Sequence, residues 1–131
     1  MKYNEMVNEV KTRINIDSDE AAERAISATL STLGERITAG EAEHLSAQLP
    51  FEAGRHLTEQ ETKKDFGIDQ FYETISQRES IGFPMAKEHA RAVMSVMSEM
   101  VTPGEMQDTL DHLPEEHVPL FTFSSSDWRK L

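Results

Sequence analysis

The sequence predicts an all-α protein: two tandem three-helix repeats packed as one pseudo-twofold antiparallel helical bundle. Three observations predict it. Apolar residues recur at spacings of three and four through most of the chain, the period of a helix face. No segment alternates apolar and polar residues as a half-buried strand does. One phrase also occurs twice, because Thr38, Gly40, Glu41, Leu49, Pro50 and Glu52 return 64 positions later as Thr102, Gly104, Glu105, Leu113, Pro114 and Glu116. A repeat held in one register predicts that each unit buries its apolar face against its twin. The 131 residues suit one compact domain. We divide it into repeat 1 (1–57), a linker (58–67) and repeat 2 (68–121), with a C-terminal tail at 122–131.

The elements follow in order. Tyr3, Met6, Val7, Val10 and Ile14 mark one stripe of a first helix. Asp17 with Glu20 reads as a capping box opening a second, whose inward residues are Ala22, Ala25, Ile26, Thr29, Leu30, Leu33 and Ile37. Thr38 with Glu41 opens a third, carrying Ala42, Leu45 and Leu49, and Pro50 stops it. One or two further turns are expected from Phe51 to Leu57, with both residues as apolar anchors. Residues 58–67 have little to bury except Phe66.

The second unit repeats the plan. Asp69 is the expected N-cap before Phe71, Tyr72 and Ile75. Pro84 suits a helix start, and Ala86, Ala90, Val93, Met94, Met97 and Val101 line the long helix behind it. Thr102, Pro103 and Glu105 cap the next, with Met106, Leu110 and Leu113 inward until Pro114. The tail holds a serine run, Ser124–Ser126, and Trp128, which reads either as solvated or as an indole covering an apolar gap.

Charge and composition exclude several functions. A net charge of −11 lacks the basic stripe that phosphate backbones require, and it disfavours anionic membrane surfaces. Cysteine is absent, which removes thiolate metal sites and thiol nucleophiles. No apolar run approaches the ~20 residues of a membrane span. The expectation is a cytoplasmic protein that binds neither nucleic acid nor membrane.

Histidines are the remaining candidates for acid–base or metal chemistry. Glu41 and His44 stand in the Glu-x-x-His spacing by which ferritin-like bundles present two ligands, though the capping box also accounts for Glu41. Asp108 occupies the position equivalent to His44. His112 and His117 flank the Leu113–Pro114 break, which would either join them as a ligand pair or leave them as a polar helix end. His89 reads as part of an exposed helix face. Grouped glycines and a Gly-x-Ser-x-Gly turn are both missing, so neither a phosphate-cradling loop nor a serine nucleophile is legible. The long helix of repeat 2 carries surplus apolar residues, Val96 and Met100, which suggest a contact surface for a protein partner or for self-association.

The Thr-x-Gly-Glu turn, the Leu-Pro stop and their repetition are distinctive, as is Glu41-Ala42-Glu43-His44-Leu45-Ser46-Ala47-Gln48-Leu49-Pro50. Together they resemble a bacterial family known as domain of unknown function 2267. The second copy departs from the pattern by placing His112 where Gln48 stands. The resemblance covers Tyr3 to about Phe121 and implies a small helical bacterial protein, with no activity, cofactor or catalytic residue attached. With no catalytic constellation legible, the expected function is a non-enzymatic protein-interaction or scaffold module needing no cofactor. The alternative is a small metal- or ligand-binding protein using Glu41, His44, Asp108, His112 and His117.

Overall fold

The computed structural model describes residues 1–61 and 64–120, with Val118 described in its backbone alone. Phe121, the serine run and Trp128 lie outside the described residues. Within them the chain is a bundle of seven α-helices and one 3-10 helix, with no strand. The helices are α1 (Tyr3–Ile14), α2 (Asp19–Arg36), α3 (Ala39–Ala47), α4 (Phe51–Thr58), α5 (Ile68–Glu79), α6 (Phe83–Met100) and α7 (Pro103–Asp111). The 3-10 helix spans Glu115–Leu120. Helices α1, α2 and α3 are 12, 18 and 9 residues long, and α5, α6 and α7 have the same three lengths.

Local chemistry sets these boundaries. Both 12-residue helices end on a left-handed residue, Asn15 at φ 56° and Ser80 at φ 57°, which turns the chain back. Ser18, rather than Asp17, caps α2: its hydroxyl accepts from the Ala21 amide at 3.1 Å. Thr38 forms the expected capping box, with its amide and hydroxyl donating to Glu41 Oε1 at 3.1 and 2.8 Å. The second box is only half made. Thr102 Oγ1 accepts from the Glu105 amide at 3.3 Å, but the Thr102 amide donates to Gln48 Oε1 of the other half at 2.7 Å. Asp69 is not the cap of α5 either. Gly67 occupies that position, and Glu116 reaches across to accept from the Ile68 amide at 3.0 Å.

The two long helices carry the middle of the core, and all the inward residues read from the sequence for α2 and α6 are buried. Helix α1 packs on α2 and α6, while α5 packs on α6 and α2, so each 12-residue helix touches both long ones. One continuous apolar cluster runs from Met6 to Leu120. Val96 belongs to it, fully buried, and Met100 packs partly buried against it. The surplus apolar residues of α6 are thus explained by packing within the chain, since the helix is covered on more than one side.

Residues 51–58 form helix α4, about two turns, as expected from the sequence. Gly34 on α2 lets the backbone of Leu57 come so close that a Cβ would collide with its carbonyl. Gly54 likewise lies against Ser46, whose Oγ would sit 2.7 Å from an added Cβ. Leu57 is the buried anchor expected of it, but Phe51 is not: its side chain is 78% exposed. Positions 98 and 118, 64 residues after the two glycines, are Ser98 and Val118. The segment that follows Pro114 is the 3-10 helix Glu115–Leu120 rather than an α-helix.

The chain between the halves is held down at its far end. The Lys64 amide donates to the Glu35 carbonyl at 2.8 Å, and Arg36 Nε donates to the Phe66 carbonyl at 2.9 Å. Phe66 tilts against Phe71, with centroids 6.3 Å apart. Among the described residues, no helix is long and apolar enough to cross a membrane.

Candidate functional site: a polar cleft beside helix α2

The outer face of α2 borders a cleft of about 780 Å3. With the inner stripe of α2 committed to the core, its other face presents Glu20, Glu23, Arg24, Ser27, Ala28 and Ser31. Positions 20, 24, 27 and 31 follow the helical repeat, so they stack as one wall. Small side chains at 27, 28 and 31 give the cleft its depth. Helix α4 supplies Glu52, Arg55 and His56, α1 supplies Tyr3, and Gln60 and Arg78 complete the lining. The close seating of α4 through Gly34 and Gly54 is what brings these walls together.

Near Tyr3 are the carboxylates of Glu23 and Glu52 and the guanidinium of Arg55, and Glu20 and Arg24 also belong to the lining. Burial pushes the Tyr3 phenol up, and the charges of Glu23 and Glu52 add to the rise while Arg55 opposes it. At the other end, Gln60 Nε2 lies 3.5 Å from Ser31 Oγ, and Arg78 donates to Thr32 Oγ1 at 3.0 Å. There Arg78 and Lys64 both pair with the single carboxylate of Glu35. Burial alone would raise that carboxyl, but hydrogen bonds from Lys64 and Arg78 hold it below its ordinary value. His56, between the ends, is pushed down by burial and by the neighbouring Arg55 charge, so the ring is neutral near pH 7.

The sequence-predicted site residues lie elsewhere, on the seam between α3 and α7. His44 does not join Glu41 as a ligand pair. Its Nδ1 lies 3.4 Å from Glu105 Oε1, while Glu41 Oε2 lies 3.2 Å from His112 Nδ1. Asp108 offers His112 its backbone carbonyl, 2.7 Å from Nδ1, so that nitrogen carries the proton. That carbonyl, and then the Glu41 charge, push the His112 imidazole up. The seam is two crossing acid–imidazole pairs. Among the described residues, no three or more histidine or carboxylate side chains converge as a metal site requires.

His112 and His117 are not brought together by the Pro114 break. The His112 side chain is 62% exposed, while His117 is fully buried with its ring edge-on to Phe71 at 6.1 Å. Neither nitrogen of His117 has a hydrogen-bond partner among the described residues. Burial, then the Arg36 charge, push its imidazole down. His89 is also buried, contrary to the exposed face expected for it, and its Nδ1 donates to Glu79 Oε1 at 2.7 Å. Glu79 ends α5, so this pair fastens α5 to α6.

With this geometry in hand, the family can be stated. The model of a family of uncharacterized conserved proteins, DUF2267, matches residues 3–120. The chain belongs to that family. No curated protein matches it.

In this DUF2267 chain, sequence reasoning missed the cleft because its residues sit on four helices and one connecting position, with no shared motif. One signal was available. Where α2 borders the cleft it carries Ser27, Ala28 and Ser31, and such short side chains leave room beside the helix. His56 could not be singled out, since a lone histidine on a short helix has no partner in the sequence to identify it.

Proposed function

We propose that the protein is a non-enzymatic binding module made of two copies of one helical unit related by an approximate dyad, with the cleft beside α2 as its ligand site. The duplication is supported by the equal helix lengths and by the crossed packing of α1 on α6 and α5 on α2. The single observation that carries the binding reading is the cleft itself. Its volume of about 780 Å3 falls in the range of small-molecule sites, and charged, hydroxyl and amide side chains converge on it from five parts of the chain.

The test is a titration of the isotope-labelled full chain with amino acids, sugars and nucleotides, read by backbone amide shifts. The expected result is a response confined to Tyr3, Ser27, Ser31, His56 and Gln60, lost in a Ser27→Trp variant that still melts cooperatively. A panel that leaves those amides unmoved at millimolar concentration counts against the reading.

A protein-interaction role is supported by a separate observation. Phe51 is 78% exposed, and a depression of about 570 Å3 lined by Met1, Tyr3 and Pro50 adjoins it. A second copy would bring another −11 charge, so the partner this surface suits is basic, with an apolar residue to lay against the ring. Phe51→Ser would then abolish capture of that partner while leaving the melting temperature unchanged. Equal capture by both forms would sink this second reading.

A further inference from the structure

Granted that the cleft beside α2 is a ligand site, its lining narrows the ligand. We infer that it takes an uncharged polyhydroxylated ligand, a short neutral oligosaccharide laid along α2 with one sugar ring against Tyr3.

Two features support that ligand. The first is where the charges stand. Glu20, Glu23, Arg24, Glu52, Arg55 and Arg78 are all exposed and form the rim, whereas the half-buried residues of the lining, Tyr3, Ser27, Ser31, His56 and Gln60, are uncharged. The rim cations already have partners. Glu59 lies 3.5 Å from Arg55, Glu35 pairs with both Arg78 and Lys64, and Glu61 also acts on Lys64. Arg24 has Glu20 one turn before it on the same helix. A phosphate, sulfate or carboxylate therefore finds no cation in excess. The rim carboxylates stand in water that screens them, so an ammonium gains little there.

The second feature is the chemistry of the half-buried floor. A hydroxyl, a side-chain amide and a neutral imidazole each offer both a donor and an acceptor, and burial keeps His56 in that neutral form near pH 7. An anion only accepts and an ammonium only donates, so either would leave part of this floor unanswered. A ligand hydroxyl does both through one oxygen. Tyr3 adds an apolar ring beside its own hydroxyl, which suits the C–H face of a sugar. From Glu20 to Ser31 the α2 wall runs about 16 Å at a helical rise of ~1.5 Å per residue, so about three linked rings span it. The short side chains of Ser27, Ala28 and Ser31 leave those rings room beside the helix.

The experiment titrates trisaccharides into the isotope-labelled full chain: the neutral glucose trimers maltotriose and cellotriose, the cationic glucosamine trimer and the anionic galacturonate trimer. The expected result is that a glucose trimer moves the amides of Ser27, Ser31, His56 and Gln60, and that both charged trimers bind at least about tenfold more weakly. Its affinity should change less than about twofold between about 50 mM and about 500 mM salt, because the ligand carries no charge to screen. Tyr3→Leu keeps an apolar side chain at its position and should weaken the trimer about fivefold. A charged trimer that binds as well as the neutral ones, or an affinity that falls steeply with salt, overturns the inference. Silence of both glucose trimers while other small molecules of the panel move the same amides overturns the sugar assignment and leaves the cleft a ligand site. No response to any ligand would remove the cleft reading with it.

Discussion

Arg13 of α1 and Glu99 of α6, 86 residues apart in sequence, meet in an ion pair whose Nη2 lies 2.7 and 2.8 Å from the two carboxylate oxygens. Arg13 Nη1 also donates to Ser95 Oγ. The same relation recurs with the halves exchanged, where Arg78 of α5 pairs with Glu35 of α2 and donates to Thr32. Each 12-residue helix thus grips the long helix of the other half near its C-terminal end, where a cation is favoured by the helix dipole.

The two bridges should differ in worth. Glu99 is 45% exposed and water screens its pair, whereas Glu35 is 9% exposed and holds two cations. Glu99→Gln is expected to cost under about 1 kcal/mol and Glu35→Gln about 2 kcal/mol. Chemical denaturation of both variants checks the order, and a reversed order would contradict it.

Gly34 should tolerate no side chain. In Gly34→Ala the new methyl meets the Leu57 backbone, which cannot swing aside as a side chain would. A loss of about 1–3 kcal/mol is expected. Because Leu57 and Gly54 seat α4, the variant should also disturb the amides of Arg55 and His56. An unchanged melting temperature would show that the approach is looser than described.

His117 sets an acid sensitivity. Its folded value lies below the ordinary 6.5, so below about that pH the unfolded chain takes up a proton that the buried ring refuses. Stability is complete above about pH 6.5 and falls as the pH drops toward the folded value. His117→Phe keeps a ring against Phe71 and should flatten this slope between about pH 7 and 5. His112 acts in the opposite sense. Its value is raised, so its contribution is present below about pH 6.5 and fades as the pH rises through the folded value. His112→Gln should therefore leave the acid-side fall as it is and remove the loss that sets in as the pH rises from about 6.5 toward 8. Melting curves across that range separate the two histidines.

Ser80 holds a left-handed backbone at φ 57° that suits glycine better. Ser80→Gly is expected to stabilise the chain by about 0.5–1 kcal/mol, less the entropy that glycine adds to the unfolded state. Asn15→Gly at the matching turn should gain less, since asparagine already tolerates that conformation. Equal gains at both positions would argue against the explanation.

Much of the architecture was legible because it is written in local signals. Helical spacing marked the buried stripes of α2 and α6, the Thr-x-x-Glu boxes and prolines marked helix ends, and the repeated phrase identified the family. The failures share a cause. His89 looked exposed because nothing near it in sequence reveals Glu79 as its partner across a turn. Val96 looked like spare apolar surface because the number of helices lying on α6 is not a property of α6. Phe51 looked buried because an aromatic residue at a helix start says nothing about which way it faces.

The sequence by itself determined which segments are helical and where most of them stop, since spacing, caps and proline geometry act over a few residues. Only the tertiary structure decided which charges meet, which histidines lose water and where a cleft stays open. Those outcomes depend on how closely two backbones approach, and at Gly34 and Gly54 a missing Cβ on one helix matters only once another lies against it.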